Sequence, residues 1–482
     1  MYNYPMAEIL ITHSYFLRFD PKQWKAQNPY PPLATLYAAA VLKQKSFDVS
    51  FHDVMFDRST NEITDSLKKN KPKLFVICDD GFNYLTKMCL TNMREAAFEM
   101  IKIAKKFGCT VIVSSSDSTD HSEEYFNTGA DFIIVGEAEQ TLLELTNHLL
   151  KNEKNLAEID GLKYSENKNQ ISTKHRENIK DLDLLPFPAW DLADINEYKK
   201  RWIKSSGYFS LNMTTTRGCP YKCNWCAKPI YGNRYNSRSP ENVIEEIKFL
   251  KEKYHFDHIW FCDDIFGLKP GWINKFSELV SENNLQMNFK IQCRADLLLE
   301  EENIKALARS GCDEVWIGAE SGSQKILDAM EKGITTEQIH EATNLLKKNN
   351  INPCFFLQFG YKDETGSDID ATMKMLFELM PHNIGISVSY PLPGTKFYET
   401  VKAGMNGKTN WKDSDELAMM FHSSYPKGFY KKLQRHIHKK FRRKQIEEVF
   451  KLLLNGQSFK PEYVKKLIRY PFYFLTSMPS AE

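Results

Sequence analysis

A chain of 482 residues, 42% hydrophobic and 26% charged, has the make-up of an ordinary globular protein of two or three domains. Its net charge of +2 gives no global attraction for a polyanion, so no nucleic-acid partner is expected, and no apolar run approaches the ~20 residues that a membrane-spanning helix needs. The opening MYNYPMAEILITH carries no basic segment ahead of a long apolar stretch, which argues against a secretory signal and for a cytoplasmic location.

Residues 1–150 alternate short β-branched runs with amphipathic segments. AEILITH, FDVSFHDV, KLFVIC, CTVIVS and DFIIV read as five strands, with helices such as PPLATLYAAAVLKQK between them. This pattern predicts an α/β, doubly wound parallel sheet of the flavodoxin or Rossmann type, whose ligand crevice lies beyond the strand C-termini. Residues 151–200 follow as a hairpin, EIDGLKYSENKNQISTKH, and a proline-broken linker, DLDLLPFPAWDL.

Over residues 201–400 a second βα series begins, with strands at SLNMTTT, HIWFCDD, FKIQCR, EVWIGAE, PCFFLQFG and IGISVSY. Between the first two, Val243, Ile244, Ile247, Leu250 and Tyr254 fall on one helical face. Six βα units predict a partial (β/α)6 version of the TIM barrel, with its chemistry at the strand C-terminal ends. Residues 401–482 turn helical and basic.

Seven of the ten cysteines are scattered singly through apolar stretches and read as buried thiols. The other three fall within TRGCPYKCNWC, directly after the first strand of the second series: Cys219, Cys223 and Cys226, spaced C-x-x-x-C-x-x-C. Soft thiolates suit an iron–sulfur cluster, and three ligands where four would close it leave one iron open to a further molecule. A structural zinc site or three merely neighbouring buried thiols are the competing readings.

At these residues the sequence resembles the radical S-adenosylmethionine (SAM) superfamily, whose signature is this spacing with an aromatic residue, here Trp225, before the third cysteine. The resemblance implies a 4Fe-4S cluster on the three cysteines. Its open iron would chelate the amine and carboxylate of SAM, and reduction would split the sulfonium to give a deoxyadenosyl radical. It further implies SAM contacts from Trp225, from Asp263 and Asp264 in FCDDIFG, from Arg294 in IQCRADL, and from Glu320 and Ser321 in GAESGS. An external electron donor such as flavodoxin or ferredoxin is implied as well. GYKDET and YPLPGT extend the match, although Lys362 stands where related chains usually carry proline.

The order of a flavodoxin-like domain and then this barrel resembles the cobalamin-binding subgroup of radical SAM enzymes, on PPLATLYAAAVL, Gly136-Glu-Ala-Glu139, the linker and CDDIFG. It implies cobalamin in the first domain, with Ser114, Ser115, Gly136 and Glu137 as contacts. The Asp-x-His-x-x-Gly motif that supplies an axial histidine elsewhere is absent. His13 and His121 read as ordinary polar loop residues, and cobalt is expected to lack a histidine ligand.

The tail FYKKLQRHIHKKFRRK, residues 429–444, interleaves Phe429, Tyr430, Leu433, Ile437 and Phe441 among basic residues. It reads as a surface helix packing an apolar stripe on the barrel, the alternative being peripheral contact with a membrane or an anionic ligand, and YPFYFL near the end suits either. Function is expected to be cobalamin-dependent methyl transfer to an unactivated carbon of a small or lipid-like molecule. The alternatives are an oxidative cyclase or rearrangement enzyme like the anaerobic magnesium-protoporphyrin ester cyclase, or a non-catalytic iron–sulfur redox protein.

Overall fold

A computed structural model describes residues 7–454, except Cys89, Lys168, Ala227, Pro229, Asn406 and Lys427. The YPFYFL segment lies outside the described residues.

The first sheet is built from β1 (Ile9–Thr12), β2 (Val49–Phe51), β3 (Leu74–Cys78), β4 (Thr110–Ser114) and β5 (Phe132–Ile134), in the order β2-β1-β3-β4-β5 and all parallel. Every residue of β1 and β3 is buried, as parallel strands covered by helices on both faces require. Alternate side chains go to opposite layers: Ile9, Ile11 and Val76 pack with the helix Leu33–Gln44, whereas Leu10, Phe75 and Ile77 pack with the helix Thr91–Lys106. The predicted hairpin forms β6 (Leu162–Glu166) and β7 (Asn169–Ser172) and adds antiparallel to β5, extending this sheet to seven strands. The linker that follows holds only short 3-10 turns, at Leu182–Leu184 and Trp190–Leu192, among its prolines.

The second sheet is the expected half-barrel. Numbering β8 (Ser210–Met213), a two-residue ribbon of β9 (Thr216–Arg217) and β10 (Asn236–Ser237), then β11 (His258–Phe261), β12 (Asn288–Cys293), β13 (Cys312–Glu320), β14 (Asn352–Phe359) and β15 (Asn383–Val388), its six strands run parallel in the order β15-β14-β13-β12-β11-β8. Ser239 caps the first outer helix, Pro240–Tyr254, with proline at its first position. Val243, Ile244, Ile247 and Leu250 of that helix are buried against the sheet and Tyr254 is half-buried. Ile259, Phe289, Val315 and Phe355 of the strands are buried in the same core, while their neighbours Trp260, Lys290, Trp316 and Phe356 line a cavity in the barrel lumen.

The basic tail forms the helix Phe429–Leu454, which lies along the outer strand β15. Tyr430, Ile437, Phe441, Ile446 and Val449 are buried, and Arg442 Nη2 donates to Asn383 Oδ1 at 2.9 Å. An unpaired sheet edge invites pairing with other chains, and this helix stands over it. Among the described residues no helix is long and apolar enough to cross a membrane.

Candidate functional site

The cysteine loop leaves the C-terminal end of β8 and is closed at its base by the β9–β10 ribbon, in which Arg217 pairs with Asn236 and Thr216 with Ser237. Gly218, just before Cys219, has φ +79°, and a Cβ there would stand 2.3 Å from the Arg234 carbonyl oxygen, so only glycine lets the loop turn this tightly. Two buried arginines hold the ribbon. Arg217 Nη2 donates to Glu139 Oε1 at 2.6 Å and Nη1 to Glu137 Oε1 at 3.4 Å, both on the first domain, and its guanidinium sits about 5.4 Å from the rings of Tyr37 and Tyr231. Arg238 Nη1 donates to Glu246 Oε2 at 2.5 Å and to the Thr214 carbonyl at 3.0 Å.

Cys219, Cys223 and Cys226 form no disulfide and are partly exposed, whereas Cys78, Cys109, Cys262, Cys312 and Cys354 are buried; Cys293 is partly exposed but lies on β12. Among the described residues no three His, Cys, Asp or Glu side chains converge on one point as a single ion needs. A cubane takes each thiolate on a different iron. Burial pushes the Cys226 thiol up to about 12, with the Asp264 carboxylate adding to it, and Lys228 works in the opposite direction. Ionising the Cys226 thiol takes a strongly cationic partner, a role that iron would fill. Trp225 packs beside Ile326, Met330, Tyr361 and Phe397, and its Nε1 is buried with no hydrogen-bond partner, leaving a donor beside the loop. The loop is pinned on this side by Asn224, whose N–H donates to the Met330 carbonyl and whose Oδ1 accepts from the Tyr361 hydroxyl at 2.9 Å. These residues fit a cluster.

The strand-end residues are brought to the same rim, but several are engaged within the protein. Asp263 is buried. Its Oδ1 accepts from Thr214 Oγ1 at 2.9 Å and from the Thr215 and Thr216 N–H groups at 2.7 and 2.9 Å, and its Oδ2 accepts from Thr215 Oγ1 at 2.6 Å. Burial pushes this carboxyl up to about 6 against those hydrogen bonds. Asp263 therefore fixes the end of β8, from which the cysteine loop starts. Asp264 faces the first domain and pairs with Lys87 at 2.6 Å. Arg294 grips Asp296 through Nε and Nη2, donates to the Lys332 and Gly333 carbonyls, stacks 3.7 Å above the Tyr221 ring and reaches Cys223 Sγ at 3.9 Å. Glu320 ends β13 in a left-handed conformation, φ +57°, with its carboxylate on buried Lys332 at 2.8 Å; such strain in a non-glycine residue persists where the surroundings fix it and gathers at functional sites. Ser321 Oγ lies 3.1 Å from Thr372 Oγ1 and accepts from the Ser323 N–H.

In the first domain Ser114 ends β4, and Ser115 caps the helix Ser116–Asp120 by accepting from the Ser118 N–H at 2.9 Å. Gly136 turns with φ +85°, and Glu137 accepts from the Ile179 N–H as well as from Arg217. Gly136-Glu-Ala-Glu139 thus clamps the barrel to the first domain. His13 has both ring nitrogens engaged, Nε2 with Asp53 at 2.9 Å and Nδ1 with the Tyr15 N–H; His121 pairs with Glu124. The Ser115, Glu137 and Glu139 side chains are thus engaged within the protein, but the crevice itself fits a ligand. The loops after β1, β2 and β3 bring Tyr15, Met55, Asn83 and Leu85 to a cavity of about 270 Å³, facing Trp260, Gln292 and Trp316 of the lumen. That is the topological switch point, where doubly wound sheets bind ligands.

The family model of the radical SAM superfamily matches residues 213–376, from the end of β8 through the helix after β14. Residues 213–376 are a radical SAM domain. Relatives extend the likeness into the first domain. An uncharacterised methyltransferase of Pyrococcus horikoshii is 29% identical over 375 residues, 77% of this chain and 78% of the relative. An anaerobic magnesium-protoporphyrin IX monomethyl ester cyclase of Synechocystis is 24% identical, covering 76% of this chain and 72% of its own. Among solved structures, the cobalamin-dependent radical SAM enzyme OxsB aligns over 97% of this chain and 72% of its own with a TM-score of 0.75 at 18% identity. The methyltransferase TsrM of Kitasatospora setae aligns over 83% and 75% with a TM-score of 0.68 at 17% identity, so both share the two-layer fold.

Reading the sequence alone misses Arg217, Arg238, Lys87 and Lys332. The two arginines carry a faint signal, each beside a residue of the ribbon that brackets the cysteine motif, but their partners lie in distant segments or a later helix.

Proposed function

We propose that this chain is a radical SAM enzyme that cleaves SAM reductively at a 4Fe-4S cluster on Cys219, Cys223 and Cys226, and that it uses cobalamin to methylate an unactivated carbon of a small molecule. The observation that carries the proposal is convergence: the radical SAM domain and the crevice of the first domain open onto one lumen. A reduced cluster supplies an electron that breaks the SAM sulfonium, and cobalamin supplies a carrier for a methyl group. The protein's own residues position these groups. Asp263, Arg217 and Arg238 fix the loop base, Arg294 and Tyr221 stand against Cys223, and the strained Glu320 with Lys332 and Ser321 forms the rim where SAM is expected. Tyr15, Asn83 and Leu85 form the crevice wall expected to face cobalamin. The loops of the first domain lie over the lumen, a placement that would limit water around a radical.

Anaerobic protein reconstituted with iron, sulfide and cobalamin should release deoxyadenosine from SAM under a strong reductant. With methyl-labelled SAM and substrate it should label the product. A cyclisation reading draws on the Synechocystis relative, and there SAM is cleaved while the product carries no label. Absence of SAM cleavage by cluster-loaded protein refutes both.

A further inference from the structure

Lys290 stands apart from the other lysines of the site. It lies on β12, half-buried, with its Nζ 5.8 Å from the Tyr30 ring and 5.6 Å from the Trp260 ring, and it makes no ion pair or hydrogen bond with any described residue. Its register partner on β13, Glu314, is turned to other groups: the carboxylate accepts from Trp316 Nε1 at 3.3 Å and stands 3.8 Å from His382. Lys87 and Lys332, by contrast, each hold a carboxylate.

Lys290 lines the barrel side of the same cavity, opposite the Tyr15, Asn83 and Leu85 wall, and the side chains around it there are largely aromatic. Trp316 and Phe356 stack at 4.7 Å with 30° between their planes, and Phe356 keeps 36% exposure despite lying inside the barrel. Gly385 on the next strand leaves room for that pair, since a Cβ there would come within 3.2 Å of Phe356 and 3.4 Å of Trp316. Tyr30 and Trp260 pack together on the other wall, with ring centroids 4.9 Å apart and planes tilted by 49°. Aromatic surfaces on two sides suit a planar apolar body, and an ammonium that has ring contacts but no carboxylate partner suits an anion, because a charge in a partly desolvated place is most favourable when paired.

We propose that Lys290 is the specificity-determining residue of the substrate site: it anchors the carboxylate of a planar, aromatic-bodied acid whose ring lies between Trp260 and the Trp316–Phe356 pair. This rests on the proposed function for its chemistry, but not for its test. The test is calorimetric titration of protein loaded with cluster and cobalamin, using 2-naphthoate and its neutral amide as probes, in wild type and in Lys290→Met and Lys290→Arg. Wild type should bind the acid at least tenfold tighter than the amide. Lys290→Met should lose that preference while still binding the amide, which reports an intact cavity, and Lys290→Arg should keep it. Trp316→Ala should weaken both probes. Equal binding of acid and amide by wild type, no binding of either, or an acid preference that survives in Lys290→Met overturns the proposal. Deoxyadenosine release measured on the same preparation separates a failure of this site from a failure of the radical reading.

Discussion

Replacing Arg217 by methionine tests the link between the two domains. The guanidinium and both carboxylates are nearly inaccessible, with side-chain exposures of 2% for Arg217, 3% for Glu137 and 5% for Glu139. Removing the cation strands two like charges in a buried place. Breaking a buried ion pair in this way costs about 3–5 kcal/mol, whereas removing all its charges together is often near neutral. The carboxylates can relieve part of that cost by taking a proton, and Glu137 is already held above the usual range, first by burial and also by Glu139, against the pull of Arg217. Urea unfolding at pH 8, followed by circular dichroism, should therefore show a loss of about 3–5 kcal/mol for Arg217→Met. The loss should shrink toward pH 5 and be largely recovered in the triple variant with Glu137→Gln and Glu139→Gln. An Arg217→Met protein with the wild-type urea midpoint, or a triple variant no more stable than the single one, would refute the assignment of this cluster as the domain clamp.

Other outcomes follow from the site. Serine at Cys219, Cys223 or Cys226 should abolish iron binding measured by metal analysis, while serine at Cys262, Cys293 or Cys312 should leave iron content intact. Asp263→Ala leaves the Thr215 and Thr216 N–H groups unsatisfied and should lower stability by about 2–4 kcal/mol and iron loading with it, whereas Asp264→Ala removes a partly exposed pair and should cost under ~1 kcal/mol in the same urea assay. Burial pushes the Glu364 carboxyl up to about 7 from the ordinary 4.5, and its Oε1 has no partner. A carboxyl raised in the folded state is protonated in both states below pH 4.5. Its stability contribution is lost as pH rises through about 7, so wild type should lose about 3 kcal/mol relative to Glu364→Gln across that window. Parallel pH profiles of the two proteins would contradict this. Spin resonance of bound cob(II)alamin should lack nitrogen splitting from an imidazole, since both ring nitrogens of His13 are engaged and His121 Nδ1 pairs with Glu124; a split signal would refute the expectation that no histidine binds cobalt.

Both sheets were legible because strand periodicity is local. The runs KLFVIC and CTVIVS carry continuous apolar character that only a doubly covered strand has, and β3 and β4 are where they fall. The cysteine spacing was legible for the same reason, since its three thiols lie on one loop. Asp263 illustrates what was not. Its position at a strand end is visible in the sequence, but the N–H groups that occupy it belong to Thr216 and Thr215, just past β8 and 47 and 48 residues away in the chain, and only the parallel pairing of β8 and β11 brings them together. Gly136-Glu-Ala-Glu139 reads in the sequence as a ligand loop, and its pairing with Arg217 was not legible there, because that cation comes from the other domain. The basic tail showed its stripe in the sequence, but which surface the stripe covers is a tertiary fact.

The β9–β10 ribbon has a consequence for how iron could reach the protein. Bringing together the ends of a flexible loop spanning residues 218–235 carries an entropic cost of about 2.6 kcal/mol for roughly eighteen residues. In this chain folding has already met that cost, since the ribbon and its two arginines close the loop without help from the thiols. A maturation factor would then encounter a formed hoop with three cysteines on it and not a slack segment, so metal insertion becomes a late, local event on a finished fold.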